Sequence, residues 1–303
     1  MILYKFTSSA RTINILQSGK IRFAQLSSLN DPFESLLPID GYITKDLFLQ
    51  FYETIMSDET LLNKVIDEAI NSTYDKLNPI QKMMFNKNTL IPSMRKYIKD
   101  ELENRGTNLK DFILAKYKTD FDSVISNMRK NVISYMADVV CVLSLSLAKT
   151  NLLMWSHYSD SHRGIAIGFD SNDPFFYNIM AIRYQSEKPV IDFSVIPSTE
   201  KEKEYFAQKL LAVKNIAWHH EEEYRLIRPS TAMDLLNHRD SKGFPVYVSP
   251  FPKKSVVELI FGNKCSEEDQ AKVQSIISSE YSNVKLYKSI LDSNGYQLSF
   301  ALI

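Results

Sequence analysis

Apolar and polar positions follow two different periods along the chain. Residues 2–6 and 21–24 alternate in the manner of strands, with a short helix predicted at 10–17 between them. Residues 44–137 instead repeat apolar positions at helical spacing, with helical segments predicted around 80–85, 94–102 and 109–135. Strand patterns resume after that segment. The pattern therefore predicts an α+β protein with a mixed or antiparallel sheet and a large helical insertion.

The part of the chain after residue 137 supplies most of the predicted sheet. An almost continuous apolar run at 139–144 is typical of a strand covered on both faces. Helices are predicted at 199–214 and 267–278. We expect a single domain over residues 1–303, with 44–137 inserted in it. The remaining predictions are a short helix at 151–158 and strands at 164–170, 179–184, 190–193, 222–228, 245–248, 256–261, 284–288 and 297–302.

Composition narrows the class of protein. The 36 basic residues balance the 36 acidic ones, so no overall field draws the chain to nucleic acid or an anionic membrane. No apolar run approaches the roughly 20 residues that span a bilayer. The N-terminal residues lack the pattern of a signal peptide. Cys141 and Cys265 lie far apart and form no metal-ligand spacing. We predict a cytoplasmic protein with no membrane partner and no strong nucleic-acid signal.

Rare side chains are concentrated in two short windows. The chain has two tryptophans and five histidines. One tryptophan and two histidines fall within residues 152–170, which we call the first tryptophan window. The other tryptophan and two more histidines fall within residues 218–225, the second tryptophan window. This concentration indicates a functional site without naming its reaction.

The first tryptophan window contains three candidate residues. His157 and Tyr158 are candidates for positioning a substrate. Arg163 precedes a strand, where it could bind a phosphate or carboxylate bidentately or pair with an acidic residue of the second window. His157 and His162 are five positions apart, which on a helix separates them by about 140° and does not suit a shared metal ion. We therefore assign no metal ligands.

The second tryptophan window contains the candidate catalytic group. If 222–228 is a strand, Glu221, Glu223 and Arg225 share one of its faces. A carboxylate on a rigid strand can act as a general base, bind ribose hydroxyls or stabilise an oxocarbenium-like cation. Glu223 is the candidate for this role, with Glu221 and Arg225 as ligand-binding residues. The same pattern also fits a solvent-exposed sheet surface.

A polar turn follows the second predicted strand. Asn30 and Asp31 precede Pro32, a combination that favours a turn. One interpretation is an ordinary turn that is closed by a buried Phe33. The other is that Asn30, Asp31 and Glu34 line a ligand-binding site.

Five motifs occur in order along the chain: Leu3-Tyr-Lys-Phe, Asn30-Asp-Pro-Phe-Glu34, Leu153-Met-Trp-Ser-His-Tyr158 with His162-Arg-Gly164, Trp218-x-x-Glu-x-Glu-Tyr-Arg225 and Glu258-Leu-Ile-Phe-Gly262. Together they resemble the bacterial family called domain of unknown function 2971. The resemblance runs nearly end to end, and the helical insertion is its least patterned part. It implies little about function, because the family is named for having no known function.

A second resemblance concerns the layout of the elements. A first strand, a short helix, a second strand followed by serines, and a late strand carrying glutamate resemble ADP-ribosyltransferases. By position, this resemblance implies Tyr4 or Lys5, Ser27 or Ser28, and Glu223 as site residues. Lys5 stands where that superfamily has His or Arg. The resemblance also implies a nucleotide ligand, NAD as cofactor, and a role as a toxin or phage-defence effector.

Three hypotheses follow from these residues. The first is an enzyme that acts at a ribose carbon by ADP-ribosyl transfer or NAD hydrolysis. The second is a ligand-sensing or protein-interaction module without catalysis, in which the charges of the two windows neutralise one another. The third is a metal-dependent hydrolase or nuclease that uses His157, His162 and Glu223. Burial separates the first two: a catalytic Glu223 opens to a pocket, whereas a structural one is buried and fully paired.

Overall fold

The computed structural model describes residues 1–34, 67, 70–71, 74–77, 82, 87–104, 130, 134, 136–189, 199 and 210–303. The chain divides into two compact units. The first comprises Met1–Asp40, Asn131–Ile191 and Pro197–Ile303, and the second comprises Gly41–Lys130 and Asp192–Ile196. The expectation of a single domain with an insertion at 44–137 stays a prediction.

The described helices and strands agree with most of the predicted elements. The helices are α1 (Ser9–Ser18), α2 (Lys87–Asn104), α3 (Leu152–Tyr158) and α4 (Glu267–Glu280). The strands are β1 (Ile2–Thr7), β2 (Lys20–Gln25), β3 (Val140–Ser146), β4 (Ile165–Asp170), β5 (Met180–Ala181), β6 (Arg183–Gln185), β7 (Val213–Asn215), β8 (Glu223–Pro229), β9 (Asp234–Arg239), β10 (Pro245–Pro250), β11 (Val256–Phe261), β12 (Lys285–Leu291) and β13 (Leu298–Leu302).

One large sheet organises the first unit. Its strand order is β13-β12-β11-β4-β1-β3-β2-β10-β9, with β8 added to β3 and β5 added to β8. β11 and β12 run parallel, whereas the other pairs in this sheet are antiparallel. β6 and β7 form a separate parallel pair. The predicted α+β class with a mixed sheet is confirmed.

The β1–α1–β2 segment forms from local signals in the sequence. The side chain of Ser8 caps α1 by accepting a hydrogen bond from the backbone N–H of Arg11. Gly19 ends the helix in the left-handed region, at φ 63°, where glycine has no steric penalty. β2 then begins at once. The β1–α1–β2 segment therefore brings β1 and β2 close together, so that both can contribute side chains to the site.

Helices cover both faces of the central strands. Alternation along β1 sends Leu3 to one face and Tyr4 and Phe6 to the other. On the first face the core includes Leu16 of α1 and Val273 of α4. On the opposite face, the buried cluster contains Tyr4, Phe6, Ala148, Met154, Trp155, Ala166, Ile260 and Leu298. α3 therefore packs on the face of the sheet opposite α1 and α4.

The second unit is described mainly through α2. The predicted helix at 94–102 lies within α2 and is confirmed. Arg95 of this helix donates to Asp67, with Nε 2.9 Å from Oδ1. The other helices predicted in 44–137 lie almost entirely outside the described residues. In the part of the chain that the structure describes, no helix has the length and apolarity to cross a membrane.

Two predictions for the segment between β4 and β8 are wrong. The strand predicted at 179–184 is divided, because β5 pairs with β8 whereas β6 pairs with β7. The helix predicted at 199–214 fails at its C-terminal end, where the chain forms β7. This parallel pairing joins distant residues, so a local amphipathic pattern does not reveal it. The strand predicted at 190–193 lies outside the described residues, as do 200–209.

β9 is missing from the sequence prediction. Five of its six residues are exposed, and among the described strands it pairs with β10 alone, at one edge of the sheet. An edge strand of this kind buries no face. The alternation of apolar and polar positions is therefore absent.

Candidate functional site

The candidate site lies where the sheet splits along one edge of β3. β8 pairs with the whole length of β3. The opposite edge is shared, because β1 pairs with it at Ser146 and β2 pairs with it at Cys141 and Val142. We call the gap between β1 and β2 the fork. The Lys5 ammonium reaches into it and donates to the backbone oxygen of Ser144 at 3.1 Å.

A cavity of about 350 Å³ occupies the fork. Small-molecule sites have volumes of roughly 300–1,000 Å³, so this cavity is at the lower end of that range. Its lining includes nine of the residues singled out from the sequence: Tyr4, Lys5, Ser28, Asn30, Glu34, Tyr158, Glu221, Glu223 and Arg225. Both tryptophan windows and the 30–34 turn therefore converge on one cavity.

Five charged side chains in the wall of this cavity form a buried ion cluster: Glu34, Lys214, Glu221, Glu223 and Arg225. Their side chains are only 2% to 5% exposed. Charged groups are buried to this extent in proteins only when they are paired. The contacts of the two cations show how the pairing is made.

Arg225 binds two of the carboxylates. Its Nε donates to Oε1 of Glu223 at 2.7 Å, and its Nη2 donates to Oε2 of Glu223 at 3.0 Å. Nη2 also donates to Glu34. Nη1 donates to the backbone oxygen of Leu211 at 3.2 Å. The guanidinium is therefore held on three sides.

Lys214 contacts all three carboxylates of the cluster. Its Nζ lies 2.6 Å from Oε2 of Glu221, 3.2 Å from Oε1 of Glu34 and 3.3 Å from Oε2 of Glu223. The same nitrogen lies 4.8 Å from the ring centroid of Trp218, within cation–π range. The second tryptophan thus covers the cluster rather than contacting a ligand in the cavity.

The pKa values of two carboxylates shift in opposite directions. Burial alone would raise the pKa of Glu223, but Arg225 and Lys214 outweigh it and lower the pKa to about 2. Burial raises the pKa of Glu34 above its ordinary value, although the same two cations oppose the change. A general base works best with a pKa near the working pH. Glu223 therefore stays ionised and is too weak a base for that role.

Tyr158 is the polar residue of the first tryptophan window that lines the cavity. Its hydroxyl donates to Oε1 of Glu221 at 2.5 Å and accepts from Nδ2 of Asn30 at 2.8 Å. Burial, followed by the bond to Glu221, raises the pKa of this tyrosine. The side chain is therefore a neutral hydrogen-bonding group at the cavity wall.

The second tryptophan window reaches the cavity through a change of backbone direction. Residues Ile216–Glu221 form a 3₁₀ helix, and Glu222 adopts a positive φ of 42° before β8 begins. Glu222 is exposed, whereas Glu221 and Glu223 on either side of it are buried. Glu223 and Arg225 share a strand face as predicted, while Glu221 precedes the strand. The alternative of a solvent-exposed surface is wrong, because all three side chains are buried.

The first tryptophan is part of the core. Trp155 is fully buried, and its Nε1 donates to the backbone oxygen of Lys149 at 2.7 Å. Its ring meets Phe6 edge-on at 5.2 Å between centroids and stacks with His162 at 6.3 Å. These contacts fix α3 against β1. The orientation of Tyr158 on the last turn of α3 depends on them.

The turn between α3 and β4 is held by close backbone approach. Asp160, Ser161 and His162 all have positive φ, between 47° and 68°. A Cβ on Gly164 would lie 2.1 Å from the backbone oxygen of Thr7, closer than atoms can approach. Gly164 is thus required where β4 enters the sheet beside β1. This packing explains the glycine of the His162-Arg-Gly motif.

Four predicted site residues are not brought into the fork cavity. His157 and Arg163 are exposed and do not belong to its lining. Ser27 donates to Oδ1 of Asp138 at 3.0 Å. Asp31 is buried at 4% exposure and accepts from the backbone N–H of Phe33 at 2.9 Å. It lines a neighbouring cavity of about 210 Å³ instead.

The side chain of Phe33 corrects one prediction about the 30–34 turn. It is 62% exposed, so the interpretation of a turn closed by a buried Phe33 is wrong. The turn is anchored by Asp31 and by the Glu34 contact with Arg225.

Sequence reasoning missed three residues of the site. The sequence pattern predicts Lys214 at the end of a helix, and it therefore does not indicate that this residue lies among the carboxylates. Tyr184 accepts a hydrogen bond from the backbone N–H of Glu223 at 2.7 Å. Arg22 of β2 lines the cavity. Arg22 alone had a local signal, since it is a charged residue within an alternating strand.

No group of three or more His, Cys, Asp or Glu side chains within the described residues is arranged to hold a metal ion. The fold-level resemblance to ADP-ribosyltransferases stays a prediction, since no curated protein and no solved structure matches the chain. A family model does match part of it. Residues 154–226, from α3 to β8, match the family described as Protein of unknown function (DUF2971), which confirms the predicted resemblance over that stretch.

Proposed function

We propose that the fork cavity binds a nucleotide, and that the chain acts on NAD by ADP-ribosyl transfer or NAD hydrolysis. The observation that carries the proposal is the convergence of Asn30, Tyr158 and Glu223 on one cavity of ligand size. These residues come from three separate motifs of the sequence. Hydrogen-bonding groups of this kind suit the hydroxyls of a ribose.

The wall around Tyr158 offers the groups that a ribose would meet. Tyr158, Asn30 and Glu221 form a hydrogen-bonded chain at the cavity surface. The lowered pKa keeps Glu223 ionised at neutral pH, so in this proposal it stabilises positive charge at the ribose carbon without taking a proton. A role as toxin or phage-defence effector would suit such an activity, and only the resemblance suggests it.

A second candidate, a ligand-binding module without catalysis, is favoured by the contacts of Glu223. A carboxylate offers about four lone-pair sites. Arg225 takes two of them and Lys214 a third. Ser144 also hydrogen-bonds to this carboxylate. Glu223 is therefore buried and fully paired, as a structural carboxylate is expected to be.

Incubation of the full chain with NAD separates the two candidates. Nicotinamide release and transfer of labelled ADP-ribose report turnover, and the melting temperature with NAD or ADP-ribose reports binding. An enzyme releases nicotinamide, and Tyr158→Phe lowers the rate at least tenfold with the fold intact. A binding module shows a melting shift without turnover. Neither a shift nor turnover at high protein concentration would contradict both candidates.

Glu223→Gln tests the role of the charged group, with Glu222→Gln as its matched control. Glu222 is the exposed neighbour of the buried residue. Catalysis through Glu223 predicts loss of nicotinamide release in the first variant alone, measured on the folded fraction. Equal release by the two variants would remove Glu223 from the catalytic role.

A further inference from the structure

Hydrogen-bond donors without acceptors are concentrated at the fork. The Lys5 ammonium has three N–H groups, and Ser144 is its one acceptor among the described residues. The Arg22 guanidinium has five N–H groups. Nη2 donates to Oδ2 of Asp240 at 2.6 Å, while Nε is buried with no acceptor in the described part of the chain. Buried donors that stay unpaired cost about 1–3 kcal/mol each.

Charge accumulates at the same place. Arg11 projects from α1 into the cavity lining, beside Lys5 and Arg22. Burial lowers the pKa of Lys5 to about 8; Glu223 opposes the change, whereas Arg11 and Arg22 add to it. Both arginines are thus close enough to repel the Lys5 ammonium. Six cationic and four carboxylate side chains line the whole cavity, which leaves it with net positive charge.

The two walls of the cavity differ in how completely their cationic side chains are paired with carboxylates. In the buried ion cluster, Lys214 and Arg225 are surrounded by carboxylates and cannot bind a further anion without breaking those contacts. On the wall formed by β1, β2 and α1, Asp240 is the one carboxylate among the described residues that lies within ion-pair distance of Lys5, Arg11 or Arg22. This wall has the unused donors.

We infer that Lys5, Arg11 and Arg22 form a phosphate subsite in the fork, which binds the phosphate or pyrophosphate group of an organic phosphate. The inference deepens the proposed function and rests on it only for the identity of the rest of the ligand. A phosphate group presents several acceptor oxygens and at least one negative charge. It would accept from the Lys5 ammonium and the arginines together, and would offset their mutual repulsion.

The position of this subsite orients the ligand. Lys5 lies on β1 and Arg22 on β2, so the phosphate would lie between the two arms of the fork. Tyr158 and Asn30 lie on other parts of the lining, where the uncharged part of the ligand would bind. The Arg22–Asp240 ion pair joins the tip of the β9–β10 hairpin to β2, and Lys242 at that tip also lines the cavity.

Titration calorimetry with the full chain tests the subsite. The probes are inorganic pyrophosphate, ADP and adenosine, each at low and moderate salt. We expect ADP to bind at least tenfold more tightly than adenosine, and pyrophosphate to compete with ADP. The affinities of ADP and pyrophosphate should both fall as the salt concentration rises, because phosphate binding is largely electrostatic. Measurable but equal affinities for ADP and adenosine would overturn the inference.

Variants assign the effect to residues. Lys5→Met and Arg22→Gln should each weaken pyrophosphate binding at least tenfold, which is about 1.4 kcal/mol or more. Arg11→Gln changes an exposed side chain, and should weaken pyrophosphate binding about threefold. This third variant keeps the test valid if either of the others fails to fold.

Two controls separate anion binding from general loss of charge. Lys20→Gln removes a cation from the same strand as Arg22, but Lys20 pairs with Asp234 on the surface and lies outside the cavity lining. Its pyrophosphate affinity should match that of the unaltered chain. Asp240→Asn breaks the same ion pair as Arg22→Gln but leaves the guanidinium, so affinity should be retained or increase. Equal losses in Asp240→Asn and Arg22→Gln would contradict a direct role for Arg22.

The outcomes also separate this inference from the proposed function. Pyrophosphate binding that depends on Lys5, with no binding of ADP or NAD, would support the subsite and contradict the nucleotide. NAD binding that is unchanged in Lys5→Met and Arg22→Gln would support the nucleotide and overturn the subsite. No binding of any phosphate compound would overturn both.

Discussion

Each tryptophan window contains one tryptophan and two histidines, but the two windows make different contributions to the site. In the first window, Trp155 and Gly164 pack against β1, and Tyr158 is the polar residue that reaches the cavity. In the second window, Trp218 covers a buried ion cluster, to which Glu221, Glu223 and Arg225 contribute.

This difference shows what a concentration of rare side chains indicates. The concentration of tryptophan and histidine indicated two segments in which the chain is closely packed. Packing in the first window positions a helix, whereas packing in the second removes the charged side chains of Glu221, Glu223 and Arg225 from water. The location of the site follows from both windows, and its electrostatics follow from the second alone. Four predictions test this comparison.

The largest effect should come from Arg225→Met. The substitution leaves Glu34 and Glu223 buried without their arginine, and breaking one partner of a buried ion pair costs about 3–5 kcal/mol. The matched change in the first window, Arg163→Met, alters an exposed side chain and should cost less than about 0.5 kcal/mol. Urea unfolding measures both. Equal losses would show that the two windows do not differ in this way.

Gly164→Ala should have the next largest effect. A Cβ at this position would meet the backbone of Thr7 at 2.1 Å, so β4 and β1 must move apart. We expect a loss of about 2–3 kcal/mol. Gly295→Ala is the control, because the nearest atom to its Cβ is a side-chain oxygen of Asp292 at 3.4 Å. Thermal unfolding of the two variants compares them, and a stable Gly164→Ala would contradict the packing role of the first window.

Acid should destabilise the protein through the second window. The pKa of Glu223 is about 2 in the folded state, below its ordinary value of 4.5. At pH values between these two, the unfolded chain therefore binds more protons than the folded chain. The stabilising contribution of Glu223 is present above about pH 4.5 and is lost as the pH falls toward 2, by on the order of 2–3 kcal/mol. Glu34, with a raised pKa, acts in the opposite sense.

Urea unfolding between pH 2.5 and 6 measures this dependence. Glu223→Gln should show a shallower loss of stability than the unaltered chain over that range. An identical slope in the two proteins would mean that the acid sensitivity arises elsewhere in the molecule.

Tyr158→Phe should have the smallest effect on stability. It removes the hydroxyl that bonds Glu221 and Asn30 but keeps the ring and the packing of α3. A loss of about 1 kcal/mol is expected for these hydrogen bonds. Thermal unfolding without ligand measures it. A loss as large as that of Arg225→Met would place Tyr158 in the structural centre of the ion cluster.

Much of the fold could be predicted because its signals are local. Ser8 and Gly19 delimit α1, Asn151 caps α3, and Ser266 caps α4. Most strands of the first unit have alternating or continuous apolar positions. β7 and β9 lacked such signals, since one forms through a distant parallel pairing and the other is an exposed edge.

The candidate site was predictable in its location and not in its contacts. Asn30, Tyr158 and Glu223 could each be singled out as unusual polar residues near strands. Their convergence depends on the sharing of one edge of β3 by β1 and β2, which no local pattern contains. Lys214 could not be found at all, because its strand exists only through pairing with β6.

The sequence by itself determined the α+β class, most of the elements and the two segments that form the site. It did so because periodicity, caps and turns act over a few residues. Tertiary structure alone decided which charges lose contact with water, and so made Glu223 a paired, ionised group and left Lys5 and Arg22 with unused donors. The reason is physical: the free energy of a charge depends on its burial and on the partners that distant parts of the chain bring to it.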